Sequence, residues 1–329
     1  MSKRKVYLKA DASSEIGYGH FIRTLALADM LKEDFDCTFF TSDPNDYQRG
    51  EVEKVCKLQA LAFNTVQEDF LNFLSGEEIV VLDNYYYSSL YQKTIKDKGC
   101  KLVCIDDIHD KHFFADIVIN HAPGSNASDY SCESYTKLLL GPSYLLLRKP
   151  FFDVIDNHTE PVEDCTFICF GGSDENNLTL RACKVIRNID NRKIIVVVGG
   201  GYLFYDELKA YADYTNIEIY RNVNAVTMAS LMKSSTMAIV PASCTFLEAC
   251  CSRIPIITGY DVDNQIYIAE SCEKLGLGYN CGDFMENFDF KLTCALNAIT
   301  PIMSVQYCEN QKRVVNSSKN TLVNEFKNL

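Results

Sequence analysis

The sequence predicts an α/β protein built from two doubly wound, Rossmann-like domains facing a central cleft. Three observations carry this expectation. Short apolar, β-branched runs alternate with helix-like segments along the whole chain. That rhythm breaks once, in a polar acidic stretch near the middle, and then restarts. And at 329 residues the chain is longer than one core usually organises, about 250–300 residues.

In the first half the strand candidates are residues 6–9, 37–41, 79–82, 101–105, 117–119 and 137–140, most of them short enough and apolar enough to be buried on both faces of a parallel sheet. Between the first two, Phe21, Leu25, Ala28 and Leu31 recur at helical spacing and form one apolar stripe. Residues 1–152 are therefore expected to form an N-terminal domain. The stretch 153–164 carries Asp153, Asp156, Glu160, Pro161, Glu163 and Asp164 and reads as a linker. Strand candidates at 166–170, 193–198, 217–220, 237–240 and 255–258 then define a C-terminal domain over 165–301. The tail, 302–329, reads as a helix that packs back on the first domain.

Composition excludes several classes. The net charge of −12 disfavours a nucleic-acid partner, which calls for a basic patch. No apolar run approaches the roughly 20 residues of a membrane span, and no signal-peptide core follows the basic start, so a cytoplasmic chain without membrane insertion is expected. The 15 cysteines are odd in number, scattered, and often inside apolar runs, which suits buried reduced thiols better than a disulfide framework or a zinc site. No metal and no cofactor are expected, and the chain is expected to act as a monomer.

Ligands of doubly wound sheets bind beyond the carboxyl ends of the strands, and the informative residues follow strands. After the first, Gly17 and Gly19 form a loop that permits close approach, and His20 opens a helix. The positive helix end disfavours imidazolium there, so a neutral ring is expected, able to take a proton from water. The plainer alternative is a tight turn with a capping histidine, and a lone G-x-G loop is a weak signal. Arg23, one turn on, suits a substrate oxygen or a surface salt bridge equally. Asp83 and Tyr85 end the next central strand, as an orienting carboxylate and a sugar-facing phenol or as an N-cap and packing; Tyr86 and Tyr87 read as packing. Asp106 or Asp107 supports the site or caps a helix. His109, His112, His121 and His158 show no partner spacing and read as surface or structural residues.

In the second half, Gly171 and Gly172 follow the first strand and allow backbone amides near an anion. Gly199-Gly-Gly201 reads as a nucleotide-edge loop or a flexible turn. Pro241-Ala-Ser243-Cys244-Thr245 follows a strand and opens a helix, forming a diphosphate cradle or an ordinary cap, and Glu248 reaches ribose hydroxyls or completes a capping box. Asp261-Val-Asp263 invites a metal, but nothing nearby completes a shell. Asn264 and Gln265 are better placed to bond sugar or phosphate.

Taken in order, Ala10-Asp-Ala-Ser-Ser-x-Ile-Gly-x-Gly-His20-x-x-Arg23, Asp83-x-Tyr85, Ile105-Asp-Asp107, Leu140-Gly-Pro-x-Tyr144-x-x-Leu147-Arg148-x-x-Phe151, Phe170-Gly-Gly-x-Asp174-x-x-Asn177-x-Thr179, Thr245-x-x-Glu248 and Asp263-Asn264-Gln265 resemble the sugar-nucleotide hydrolases of the pseudaminic acid pathway. These are UDP-2,4-diacetamido-2,4,6-trideoxy-β-L-altropyranose hydrolases of GT-B fold, similar to MurG-type glycosyltransferases. The resemblance runs over residues 5–265 and is specific only as a set. It implies a UDP-sugar substrate, water activated by His20, inversion at the anomeric carbon and release of UDP without a metal. It also implies Tyr85 and Asn264 on sugar and pyrophosphate, Glu248 on ribose, and the turn from Ser243 to Thr245 on the diphosphate. The chain departs from the family at that turn, where Ala242-Ser-Cys-Thr245 replaces a glycine-containing sequence. A GT-B glycosyltransferase using an acceptor hydroxyl and a non-catalytic nucleotide-sugar binder are the competing readings.

Overall fold

A computed structural model describes residues 3–12, 18–62, 66–156, 164–315 and 319–329. The chain divides into two compact units, Met1–Arg148 with Ser317–Leu329, and Lys149–Asn316. No described helix is long and apolar enough to cross a membrane.

In the first unit the strands are β1 (Lys5–Ala10), β2 (Asp36–Ser42), β3 (Lys57–Leu61), β4 (Ile79–Asp83), β5 (Lys101–Ile105), the short β6 (His112–Phe113), β7 (Ile117–Asn120), the short β8 (Ser131–Cys132) and β9 (Lys137–Leu140). Helices α1 (Gly19–Leu31), α2 (Asp46–Glu53), α3 (Val66–Asn72) and α4 (Ser89–Asp97) connect the first of them. Among the described residues they form a seven-stranded sheet in the order β3-β2-β1-β4-β5-β7-β9, with β6 and β8 paired separately. Every pairing is parallel. Val6, Leu8, Val80 and Val81 are wholly buried, as strands covered on both faces require. The chain order reverses between β1 and β4, which places the sheet's topological switch point at the ends of those two strands.

The second unit begins with α5 (Lys149–Asp156) and repeats the plan: β10 (Cys165–Ile168), α6 (Leu178–Ile189), β11 (Lys193–Val198), α7 (Tyr205–Ala212), β12 (Ile217–Arg221), α8 (Ala225–Lys233), β13 (Met237–Ile239), α9 (Cys244–Cys251), β14 (Ile256–Tyr260), α10 (Ile266–Leu275), β15 (Tyr279–Asp283), α11 (Phe288–Ala298) and α12 (Pro301–Val314). The sheet order is β12-β11-β10-β13-β14-β15, so its switch point lies between β10 and β13. Phe170, Phe284 and Phe288 meet edge to face at 5.3–5.8 Å in its core.

Two expectations change. Residues 149–156 form a helix belonging to the second unit instead of the start of a linker. Its polar letters misled, because Phe151, Phe152 and Val154 sit between them and are buried against the unit carrying α8 and α9. The rest of the expected linker, 157–163, and with it His158, lies outside the described residues. The expected single tail helix is two. Helix α12, opened by Thr300 as N-cap and Pro301, stays with the second unit. Helix α13 (Lys319–Lys327) packs on α1 of the first, where Phe326 meets Phe35 edge to face and Lys327 pairs with Asp34.

Candidate active site

The residues on the first turns of α1 explain the site in the N-terminal unit. His20, Arg23 and Thr24 stand at i, i+3 and i+4 and therefore share one helix face. That face meets the end of β4, where Asp83 is wholly buried. Its Oδ1 lies 2.7 Å from His20 Nδ1 and accepts from Arg23 Nη2 at 2.7 Å. Its Oδ2 accepts from Arg23 Nε at 2.8 Å and Thr24 Oγ1 at 2.7 Å. Burial alone would raise this carboxyl; the Arg23 guanidinium and then His20 reverse the shift and hold it far below its ordinary value. A neutral ring that donates its Nδ1–H to this carboxylate would carry its lone pair on Nε2. Arg23 Nη2, 3.1 Å from Nδ1, shares the same acceptor.

The structure thus decides two alternatives left open by sequence. Arg23 is only 4% exposed and does not form a surface salt bridge. Asp83 does not cap a helix, since Ser88 is the N-cap of α4 and accepts from Tyr91 N. The two acids after β5 separate as well. Asp107 accepts from Arg23 Nη1 at 2.6 Å, whereas Asp106 accepts the His109 backbone N–H at 2.7 Å and closes a turn. Burial would raise Asp107, but Arg23 first and His20 next hold it low, with a further hydrogen bond from Tyr85. The Tyr85 ring meets the His20 ring edge to face, centroids 4.5 Å apart. Tyr87 is buried as expected of packing, but Tyr86 is 40% exposed. Gly19 opens α1 with nothing within 4 Å of where a Cβ would stand; Gly17 lies outside the described residues.

Thr24 gave no signal in the sequence, and His121 takes the structural one of the two places expected for it. His121 is buried, and its Nδ1 accepts the Leu146 N–H at 3.0 Å. Burial, then the charge of Arg23, lowers it to about 4. An unfolded histidine protonates below about 6.5, so unfolding takes up a proton between those values, and the stability His121 contributes is complete above that window and lost as pH falls through it. Asp106 has the opposite sign: burial raises it to about 6 from 3.8, so the cost of its charge is present above pH 6 and relieved as it protonates. The two oppose each other across the same window. We therefore expect the urea midpoint of the N-terminal unit to fall less with acid between about pH 6 and 4.5 in the native chain than in a chain without the Asp106 charge. In Asp106→Asn it should start higher at pH 7 and fall with acid; a midpoint falling equally in both would contradict the assignment.

In the C-terminal unit the candidate residues border the β10/β13 switch point. Gly171, at φ +85°, turns the chain after β10, and nothing lies within 4 Å of its missing side chain. A Cβ on Gly199 would stand 2.3 Å from Gly172 O, so the two glycine loops touch backbone to backbone. This is the physical reason for a glycine at 199, which sequence read as a nucleotide-edge loop or a turn. Gly199→Ala is expected to destabilise this unit by about 1–3 kcal/mol, measurable as a lower urea midpoint with unchanged slope.

The two helix starts differ. Asp174 accepts the N–H groups of Leu178 and Thr179, both at 2.8 Å, and so occupies the start of α6. Ser243 caps α9, its Oγ accepting the Thr245 N–H at 3.2 Å; Ser243, Cys244 and Thr245 are half-buried. Glu248 stands too far along α9 for a capping box with Ser243 and is 4% exposed. Gln265 Oε1 accepts the Asp261 N–H at 3.2 Å, closing the turn after β14, while Asn264 is exposed. No group of three or more metal-ligating side chains occurs among the described residues.

The fold is GT-B-like. Solved GT-B structures match the whole chain: Acinetobacter baumannii MurG at TM-score 0.68 and 12% identity, covering 99% of this chain and 100% of that one, and the calicheamicin glycosyltransferase CalG4 at 0.66 and 12%, covering 100% and 98%. At such identity they show the fold alone. No protein-family model matches. By sequence the chain resembles the UDP-2,4-diacetamido-2,4,6-trideoxy-β-L-altropyranose hydrolase of Campylobacter jejuni, at 29% identity over 257 residues, 74% of this chain and 87% of that protein. It is similar also to the spore coat polysaccharide biosynthesis protein SpsG of Bacillus subtilis, 25% identical over 83% of this chain and 82% of that one. An uncharacterized Methanocaldococcus jannaschii protein, MJ1062, is 30% identical over 79% of this chain, which spans 56% of that relative's length.

Proposed function

We propose that the chain hydrolyses a UDP-linked 2,4-diacetamido-2,4,6-trideoxyhexose at the anomeric carbon. The observation that carries this reading is the Asp83 carboxylate 2.7 Å from His20 Nδ1, at the switch point of the first sheet. A carboxylate there fixes the tautomer, leaves Nε2 to accept a proton, and stabilises the imidazolium that results. The substrate class is that named for the Campylobacter jejuni relative.

In the proposed step His20 Nε2 takes a proton from water as the water oxygen bonds to the anomeric carbon. The bond from that carbon to the β-phosphate oxygen breaks, its electron pair leaves with UDP, and the free sugar has inverted configuration. Asp83 and Arg23 hold the ring from beneath, and Tyr85 and Gly19 are assigned to the sugar side; Gly17, expected with them, lies outside the described residues. The nucleotide end is assigned to Gly171, Gly172, the Ser243-Cys244-Thr245 turn at the start of α9, and Glu248, which accepts ribose hydroxyls. Asn264 and Gln265 are assigned to sugar and phosphate. No step calls for a metal.

The GT-B likeness to MurG supports one competing reading, transfer of the sugar to an acceptor hydroxyl. Incubation with the UDP-sugar and no acceptor separates the two. Hydrolysis releases UDP in equal amount to substrate, followed by NMR; a transferase leaves the substrate intact.

A further inference from the structure

Beyond the His20 cluster, the ends of β1 and β2 hold a second buried polar network that the proposed chemistry does not use. Lys9 is wholly buried, and its Nζ lies 2.5 Å from Asp11 Oδ2. Asp11 Oδ1 accepts the Ser42 N–H at 2.6 Å and Thr41 Oγ1 at 3.3 Å. The Tyr86 hydroxyl completes the set by donating to Asp11 Oδ2. Burial pulls Lys9 down while Asp11 opposes it; burial pushes Asp11 up, and Lys9 with Tyr86 and the Ser42 amide brings it below its ordinary value. The short contact makes Lys9 and Asp11 a buried ion pair.

A buried ion pair is weak evidence for stability and stronger evidence for a fixed geometry. What this one fixes is the turn after β4. Tyr86 keeps its ring 40% exposed while its hydroxyl reaches inward to Asp11, an arrangement that burial of the ring does not explain. On the other flank Lys111 Nζ donates to the Tyr85 carbonyl at 2.7 Å. The residue between these two anchors is Tyr85, whose ring stands 4.5 Å from that of His20.

We propose that Asp11 and Tyr86 are positioning residues: their bond, opposite the Lys111 anchor, orients the Tyr85 ring against His20. The proposal deepens the hydrolase reading and rests on it for its kinetic consequence. The test is Tyr86→Phe, which deletes one hydroxyl and leaves the exposed ring. The expected result is an altered His20 ring-proton signal in the NMR spectrum, because the neighbouring ring current has moved. With it, kcat falls about 10-fold and KM rises by less, because Tyr86 itself touches no substrate and acts only through the Tyr85 and His20 rings. Lys111→Met should move the same signal from the other flank. A His20 signal unchanged in both variants overturns the proposal, and so does a moved signal with unaltered kcat. Were the native chain to release no UDP, the hydrolase reading would fail, while the ring signal would still decide whether the tether orients Tyr85.

Discussion

Replacing His20 by alanine is expected to lower turnover at least about 100-fold while UDP binding survives. A positioned general base contributes about 10²–10⁴-fold, and among the described residues His20 is the histidine whose ring contacts the wholly buried Asp83 carboxylate. The nucleotide is assigned to the other unit, so calorimetric affinity for UDP should stay within about twofold, well under the 1.4 kcal/mol of a tenfold change. Turnover that survives the substitution removes His20 from its role. Loss of UDP binding with turnover would mean that the unit assignment is wrong.

Asp83 should prove still less replaceable, because it joins proton handling to stability. Asp83→Asn keeps the shape but takes away the charge that favours Nδ1–H and stabilises imidazolium; a fall in kcat of about 100-fold or more is expected at unchanged fold. Asp83→Ala also takes from the buried Arg23 guanidinium the carboxylate that accepts from its Nε and Nη2. Breaking a buried pair costs about 3–5 kcal/mol, so the N-terminal unit should unfold at clearly lower urea. The sign of its pH dependence follows from the depressed carboxyl. Its contribution is complete above the ordinary carboxylate range and is lost as pH falls below it, so the stability gap between native and Asp83→Ala should close in acid. A gap that held constant from pH 7 to pH 3 would contradict an ionised Asp83.

The elements legible in the sequence were those whose burial is complete. Strands such as β4, β5 and β11 present apolar runs of four or five residues because both faces are covered. Strand β3, Lys57-Leu-Gln-Ala-Leu61, escaped because it is the sheet edge and most of it is half-buried. Strand β15, with Asn280, Gly282 and a register shift opposite it, is the other case: it too is an edge, and its letters are those of a loop.

At the site, local spacing made His20 and Arg23 readable as one face, but not what that face meets. The Asp83 contact spans 63 residues from His20, and only the parallel pairing of β1 with β4 brings it there. The choice between Asp106 and Asp107 depended on which carboxylate Arg23 reaches, which the sequence of two adjacent acids does not encode. Lys9 was invisible for a related reason: a lysine at a strand end reads as exposed, and only Asp11 folded back beside it makes its burial tolerable. Helix α5 shows the converse error, in which acidic letters hid a face carried by Phe151, Phe152 and Val154.

In the proposed reaction water attacks carbon rather than phosphorus, and His20 accepts the proton. Running the reaction in ¹⁸O-labelled water and weighing the released nucleotide tests this directly. Attack at the anomeric carbon predicts UDP free of label, since its β-phosphate keeps the oxygen it brought. Label in that phosphate would show cleavage of the phosphorus–oxygen bond and contradict the mechanism.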